Sequence, residues 1–229
     1  LNKGKKGEQL RKIRSYVLRS KGLSLLQSQA FLTYSHLLFQ QEEIPCELED
    51  IFPIQRPIIV DIGFGTGEGT FEIARNHPVN NYIGIEVYRP GIGRLLHETG
   101  TAGLDNIRII EGDAEEILKE GNIPGESIYG FHFFFPDPWP KKRHHKRRLI
   151  KDDFVQVLSN KLMKNGYIYV VTDWKNYADQ VYSAFENTPS LAKDEWSPDF
   201  SRPVTKFEKK GREKNHRIYE FYYRKTKKK

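Results

Sequence analysis

Apolar and polar positions change their rhythm near residue 58. Beyond it, short apolar runs alternate with longer amphipathic segments. The short runs predict strands over 58–61, 82–86, 107–110, 129–135 and 167–172. The segments between and after them predict helices over 68–76, 91–99, 114–120, 151–162 and 176–187. Strand-then-helix repetition marks an α/β protein with a parallel sheet, and the continuous apolar character of the runs fits strands covered on both faces. Before residue 58, Leu25, Leu26, Phe31, Leu32, Leu37, Leu38 and Phe39 predict one or two helices over 23–40. Pro45, Pro53 and Pro57 then make an extended linker. After the last helix the chain turns polar; 205–214 reads as a short charged helix and 218–223 as a final antiparallel strand. The division expected is a basic N-terminal arm with a helical extension over 1–56 and a sheet domain over 57–229.

How the runs end matters more than where they begin. Asp61, Glu86, Asp113, Asp137 and Asp173 each stand at or just past the C-terminal end of an apolar run. In an open parallel sheet those ends share one edge, and ligands bind outside it. One acid in a loop means little; five in the same phase predict a site.

The first of these acids opens the turn Asp61-Ile62-Gly63-Phe64-Gly65-Thr66-Gly67-Glu68-Gly69. Glycines there let backbone approach a ligand and lead into a helix N-terminus. The dinucleotide fingerprint G-x-G-x-x-G is not met, because Glu68 or Thr70 occupies its last position in the two available frames. The turn instead resembles motif I of S-adenosylmethionine-dependent methyltransferases, whose ligand carries an amino group and a sulfonium that suit a carboxylate at Asp61. Glu86 is placed to accept hydrogen bonds from ribose hydroxyls. Asp113 is placed either to meet an adenine amino group or to cap the helix that follows it.

The fourth run is aromatic, FHFFF over 131–135, and meets Pro136-Asp137-Pro138-Trp139-Pro140. Proline has no N–H for a ladder, so the strand must end there in a stiff turn carrying one carboxylate and one indole. Trp139 either stacks a splayed base or packs as a structural residue. The octet Lys141-Lys142-Arg143-His144-His145-Lys146-Arg147-Arg148 follows at once. A carboxylate, a flat aromatic face and clustered cations point to a nucleobase still attached to its polymer.

Charge agrees. Lys and Arg number 37 against 30 Asp and Glu, a net +7, with a sequence pI of about 9.3, which favours an anionic partner. The single cysteine, Cys46, excludes an internal disulfide and a cysteine-based zinc cluster, and the two adjacent histidines lack metal-ligand spacing to it, so no metal is expected. No stretch approaches the ~20 apolar residues of a membrane span, so no membrane partner is expected.

The segments FFFPDPWPKKRHHKRR and DIGFGTG, with Thr205-Lys206-Phe207-Glu208, resemble the bacterial tRNA (guanine-N7-)-methyltransferase family. The likeness runs from the basic arm to the final strand. It implies a Rossmann-like class I methyltransferase fold, a mostly parallel seven-stranded sheet with helices on both faces and an antiparallel C-terminal strand. It implies S-adenosylmethionine bound by Asp61, Glu86, Asp113 and Asp137, beside Gly63, Gly65 and Gly67 of the turn. Asp137 is the expected catalytic residue, a carboxylate near the positive charge that passes from sulfur to the purine. The target nucleotide falls to Lys141, Asp173, Thr205, Lys206, Phe207 and Glu208, and the tRNA to Arg143, His144, His145, Lys146, Arg147 and Arg148. The implied product is N7-methylguanosine at position 46 of the tRNA variable loop; the single cysteine suits a reducing cytoplasm, and a monomer or homodimer is expected. Asp61 stands where some members carry Glu. Two other readings remain at this point: a methyltransferase acting on a base amino nitrogen, and a non-catalytic RNA-binding protein on the same fold.

Overall fold

In a computed structural model, residues 13–17, 22–44, 48–120, 123–195, 202–204, 208–209, 213 and 216–226 are described. Thr205, Lys206 and Phe207, the expected helix over 205–214 apart from Glu208, Lys209 and Glu213, and Cys46 lie outside them.

The N-terminal extension forms α1 (Leu25–Thr33) and β1 (Leu38–Gln40). The alternating part then runs β2 (Ile58–Ile62), α2 (Glu68–Asn76), β3 (Asn81–Glu86), α3 (Arg89–Ala102), β4 (Ile107–Glu111) and α4 (Ala114–Glu120). It continues with β5 (Ile128–Phe134), α5 (Asp152–Lys161), β6 (Leu162–Thr172) and α6 (Lys175–Glu186), and closes with β7 (Leu191–Lys193) and β8 (Tyr219–Lys225). One eight-stranded sheet results, in the order β1-β4-β3-β2-β5-β6-β8-β7. The strands from β1 to β6 pair parallel, and β8 lies antiparallel to both β6 and β7.

Two expectations need correction. The sheet has eight strands, because residues 38–40, read from sequence as helix, pair in parallel with β4 at the edge of the expected seven. A dense apolar run such as Leu37-Leu38-Phe39 does not distinguish helix from strand by periodicity. The extension therefore contributes an edge strand to the sheet.

Burial follows the strand period. Ile58, Val60 and Ile62 face one core with Ile83, Ile85, Phe133, Phe154, Leu158 and Val181, beneath α4, α5 and α6. Ile59, Tyr82, Ile107 and Ile109 face the other, with Ile73, Ile92, Leu95 and Leu96, beneath α1, α2 and α3. Each fully buried Ile, Leu or Val contributes roughly 1.5–3 kcal/mol, so covering both faces is what makes continuous apolar strands stable here. The helix α1 begins with a capping box on Ser24 and docks on α3, where the Gln27 amide donates to the Pro90 carbonyl at 2.9 Å. Because β2 to β6 all run in one direction, their C-terminal ends gather on one edge.

Candidate active site and cofactor cleft

The glycine turn leaves β2 with Gly63, Gly65 and Gly67 all at positive φ, between 62° and 78°. Non-glycine residues adopt that region at a cost. The turn delivers Gly67 as the left-handed residue preceding α2, whose first N–H groups then face the sheet edge. On its outer side it packs against α3 so closely that a Cβ on Gly91 would lie 1.7 Å from the Gly65 carbonyl oxygen. The sequence carries only a weak trace of this contact, a glycine directly after Pro90.

Asp61 is buried at 3% exposure. Its Oδ2 accepts from the Thr70 hydroxyl at 2.6 Å, while Oδ1 is buried with no hydrogen-bond partner. Burial pushes this carboxyl up to about 7, against the Thr70 bond, with the charge of Glu86 adding to the rise. An acceptor left unmet in the interior costs free energy and calls for a donor. Glu86 ends β3 and holds the turn: its Oε2 accepts from Gly65 N–H at 2.8 Å, and its Oε1 accepts from Val87 at 2.7 Å and Tyr88 at 3.0 Å. An ionised carboxylate has about four acceptor sites, so capacity remains for a further donor. Burial raises the Glu86 carboxyl; the three backbone donors pull it down, and the nearby charge of Asp137 raises it.

Asp61, Glu86 and Asp137 stand at or past the C-terminal ends of adjacent strands, in the sheet order β3-β2-β5. Asp113 does cap α4, accepting from Glu115 N–H at 2.9 Å. It also lines a cleft of about 280 Å³ together with Val87, Glu111 and Tyr16. Both readings of Asp113 left open by the sequence are thus compatible with one position. Burial raises its carboxyl.

The turn after β5 is strained. Phe135 and Trp139 stand at φ 55° and 45°, each costing roughly 1–3 kcal/mol. Three hydrogen bonds hold this conformation. Phe135 N–H donates to the Val171 carbonyl at 2.8 Å, Arg148 Nε to Pro138 at 2.8 Å, and Trp139 Nε1 to Ser15 at 3.0 Å. Asp137 between them is exposed. The half-buried Trp139 ring carries the Arg147 guanidinium 4.7 Å from its centroid and the His144 ring edge-on at 5.8 Å.

The basic octet divides. Lys141, Lys142, Arg143 and Lys146 are exposed, and His144, His145 and Arg147 half-buried, along a 3-10 helix, Lys142–Arg147. Arg148, expected on the tRNA, is instead 1% exposed. Besides Pro138 it donates to the Asn176 side chain and the Gln180 side chain, each at 2.9 Å, and lies over the Tyr177 ring at 5.0 Å. It is a buried strut under the turn. Glu208, expected on the target nucleotide, is likewise sealed from solvent and ion-paired with Arg202, whose guanidinium sits over Phe134 and Phe135. In this conformation Arg202, held by the Glu208 carboxylate, ties the C-terminal segment to the end of β5.

Asp173, just past β6, is half-buried with its Oδ2 3.0 Å from His216 Nδ1. With Trp174, Arg217 and Tyr219 they line a second cleft of about 590 Å³. The sequence reading did not single out His216, which lies far from Asp173 along the chain. Among the described residues no group of three or more His, Cys, Asp or Glu is arranged to hold a metal ion, and no helix is long and apolar enough to cross a membrane.

Comparison with known proteins agrees with this geometry. A family described as a putative methyltransferase matches residues 55–221. The tRNA (guanine-N(7)-)-methyltransferase of Nitrosomonas eutropha is 44% identical over 221 residues, covering 93% of this chain and 97% of its own length. The protein of the same name from Alkalilimnicola ehrlichii is 44% identical over 185 residues, 79% of this chain and 78% of its own. Among solved structures, the aminoglycoside resistance methyltransferase NpmB1 superposes with a TM-score of 0.55 at 12% identity, over 81% of this chain and 93% of that one, a likeness of fold alone. Identity at this level over more than three quarters of both partners leaves one conclusion: the chain belongs to the tRNA (guanine-N7-)-methyltransferase family.

Proposed function

We propose that this protein transfers a methyl group from S-adenosylmethionine to N7 of guanosine 46 in the tRNA variable loop. The observation that carries the reading is that Asp61, Glu86 and Asp137 stand at or past the C-terminal ends of the adjacent strands β2, β3 and β5, beside the glycine turn, with the basic octet starting where the Asp137 turn ends. The donor set fits the cofactor. The unpartnered Asp61 Oδ1 is an acceptor for its amino group, Glu86 retains acceptor capacity for ribose hydroxyls, and the Asp113 cleft offers a space of about 280 Å³ lined by carboxylates. When bound, S-adenosylmethionine supplies a methyl group on a positively charged sulfur.

Guanine N7 presents an in-plane lone pair and no proton, so the protein needs no general base. Its task is to hold N7 in line, a positional contribution that can be large. Asp137, exposed at the rim, places negative charge where positive charge develops on the purine. Asp173 is an acceptor for the N1–H and N2 amino edge of guanine, and Lys141 reaches the nucleotide. Lys142, Arg143, Lys146, Arg147 and the two histidines set affinity and register through phosphates. Borohydride reduction and aniline cleavage of tRNA methylated by the purified protein tests the position: a single new break at nucleotide 46 is expected, and breaks elsewhere would refute it.

Two measurable consequences follow from the charges. An ammonium group is held better by the ionised form of Asp61, so cofactor binding lowers the carboxyl from its value of about 7 and affinity rises with pH. S-adenosylhomocysteine affinity should increase about tenfold between about pH 6 and about pH 8 and then level off. Calorimetry on Asp61→Asn should show weaker binding and lose that component of the slope. For the octet, Arg143→Ala and Lys146→Ala should each reduce the slope of log Kd for tRNA against log salt by about 1. A filter-binding titration across salt concentrations checks this.

A further inference from the structure

We infer that Tyr16 is a binding residue for the adenine ring of the cofactor. The inference rests on the cofactor reading above and extends it to a segment the sequence assigns to a basic arm. Residues 13–17 cross the site, and the Ser15 carbonyl accepts the indole N–H of Trp139 at 3.0 Å. The next side chain, Tyr16, lines the 280 Å³ cleft opposite the ends of β3 and β4, with Val87 and Asp113. Arg14 sits over the Tyr16 ring at 5.7 Å.

The strap is not held by burial of its own apolar side chains, since Ile13 is 49% and Val17 55% exposed. Its described contacts converge on the site instead. The chemistry of the cleft selects the occupant. Glu42, Glu111, Asp113 and Glu116 line it, so a phosphate is repelled, whereas a neutral heteroaromatic ring with an exocyclic amino group finds acceptors and a ring to stack on. That excludes the RNA backbone and favours adenine. The same strap hydrogen-bonds the turn carrying Asp137, so an adenine seated against Tyr16 also braces that turn.

The test is calorimetry with S-adenosylhomocysteine on Tyr16→Ala, Tyr16→Phe and Asp61→Asn, with tRNA binding measured in parallel and thermal melts to confirm folding. Tyr16→Ala should weaken S-adenosylhomocysteine about tenfold, the scale of one lost base–aromatic stack. Tyr16→Phe should stay within about twofold, because the ring remains, and tRNA affinity should be unchanged in both. If Tyr16→Ala binds the ligand normally while Asp61→Asn does not, the inference is wrong and the cofactor site stands. If both bind normally, the cofactor site has been misplaced and the inference falls with it. If Tyr16→Ala weakens tRNA instead, the ring stacks on a base of the substrate and the inference is overturned.

Discussion

Asp137→Asn should lower the rate of methyl transfer by at least about a hundredfold while leaving tRNA affinity nearly unchanged. The substitution keeps size and shape and removes one negative charge. That charge stands at the rim, close enough to Glu86 to raise its carboxyl, and on a turn fixed by three hydrogen bonds. A preorganised carboxylate needs no reorganisation as positive charge appears on the purine, and a hundredfold loss corresponds to about 2.7 kcal/mol of transition-state stabilisation. Single-turnover kinetics with saturating cofactor separates this from binding. A rate within about threefold of the unaltered protein would remove Asp137 from the chemistry and leave it a rim residue.

Arg148→Ala should destabilise the fold by about 3 kcal/mol, although Arg148 belongs to the same basic octet as its exposed neighbours. Its guanidinium is buried and satisfied by the Pro138 carbonyl and by the Asn176 and Gln180 side chains. Truncation strands those acceptors and releases the turn whose left-handed Phe135 and Trp139 need support. Arg143→Ala, at an exposed position, should shift stability by no more than about 0.5 kcal/mol. Urea unfolding of the two variants gives the comparison directly. Lys in place of Arg148 should not restore stability, because a single ammonium lacks the planar fork whose separate Nε, Nη1 and Nη2 reach Pro138, Gln180 and Asn176.

The contrast shows what the sequence makes legible and what it conceals. Strand ends are visible because a buried parallel strand is uniformly apolar, so the acid that stops it stands out. Asp61, Glu86 and Asp137 stand out at or past the ends of apolar runs for that reason. The α2 and α4 helices lie over the residues that periodicity predicts. Residues 38–40 were not legible as a strand, since three residues give no alternation to read, and the same holds for 191–193. Nothing local distinguishes Arg148 from Arg147; the difference arises from Asn176, Gln180 and Tyr177, brought in by α6. The partners that matter most at the site are remote in sequence too. Ser15 meets Trp139, Asp173 meets His216, and Gly91 admits the Gly65 carbonyl. Such pairs follow from topology and not from pattern.

Family membership points to one acceptor atom, N7 of guanine. The decisive measurement is incubation of the protein with unmodified tRNA and labelled S-adenosylmethionine, followed by digestion and nucleoside analysis, alongside tRNA carrying 7-deazaguanosine at position 46. Label is expected solely in N7-methylguanosine, and none should enter the 7-deaza substrate, where the attacking lone pair is absent. Label in N6-methyladenosine or another amino-methylated base, or undiminished transfer to the 7-deaza tRNA, would contradict the account.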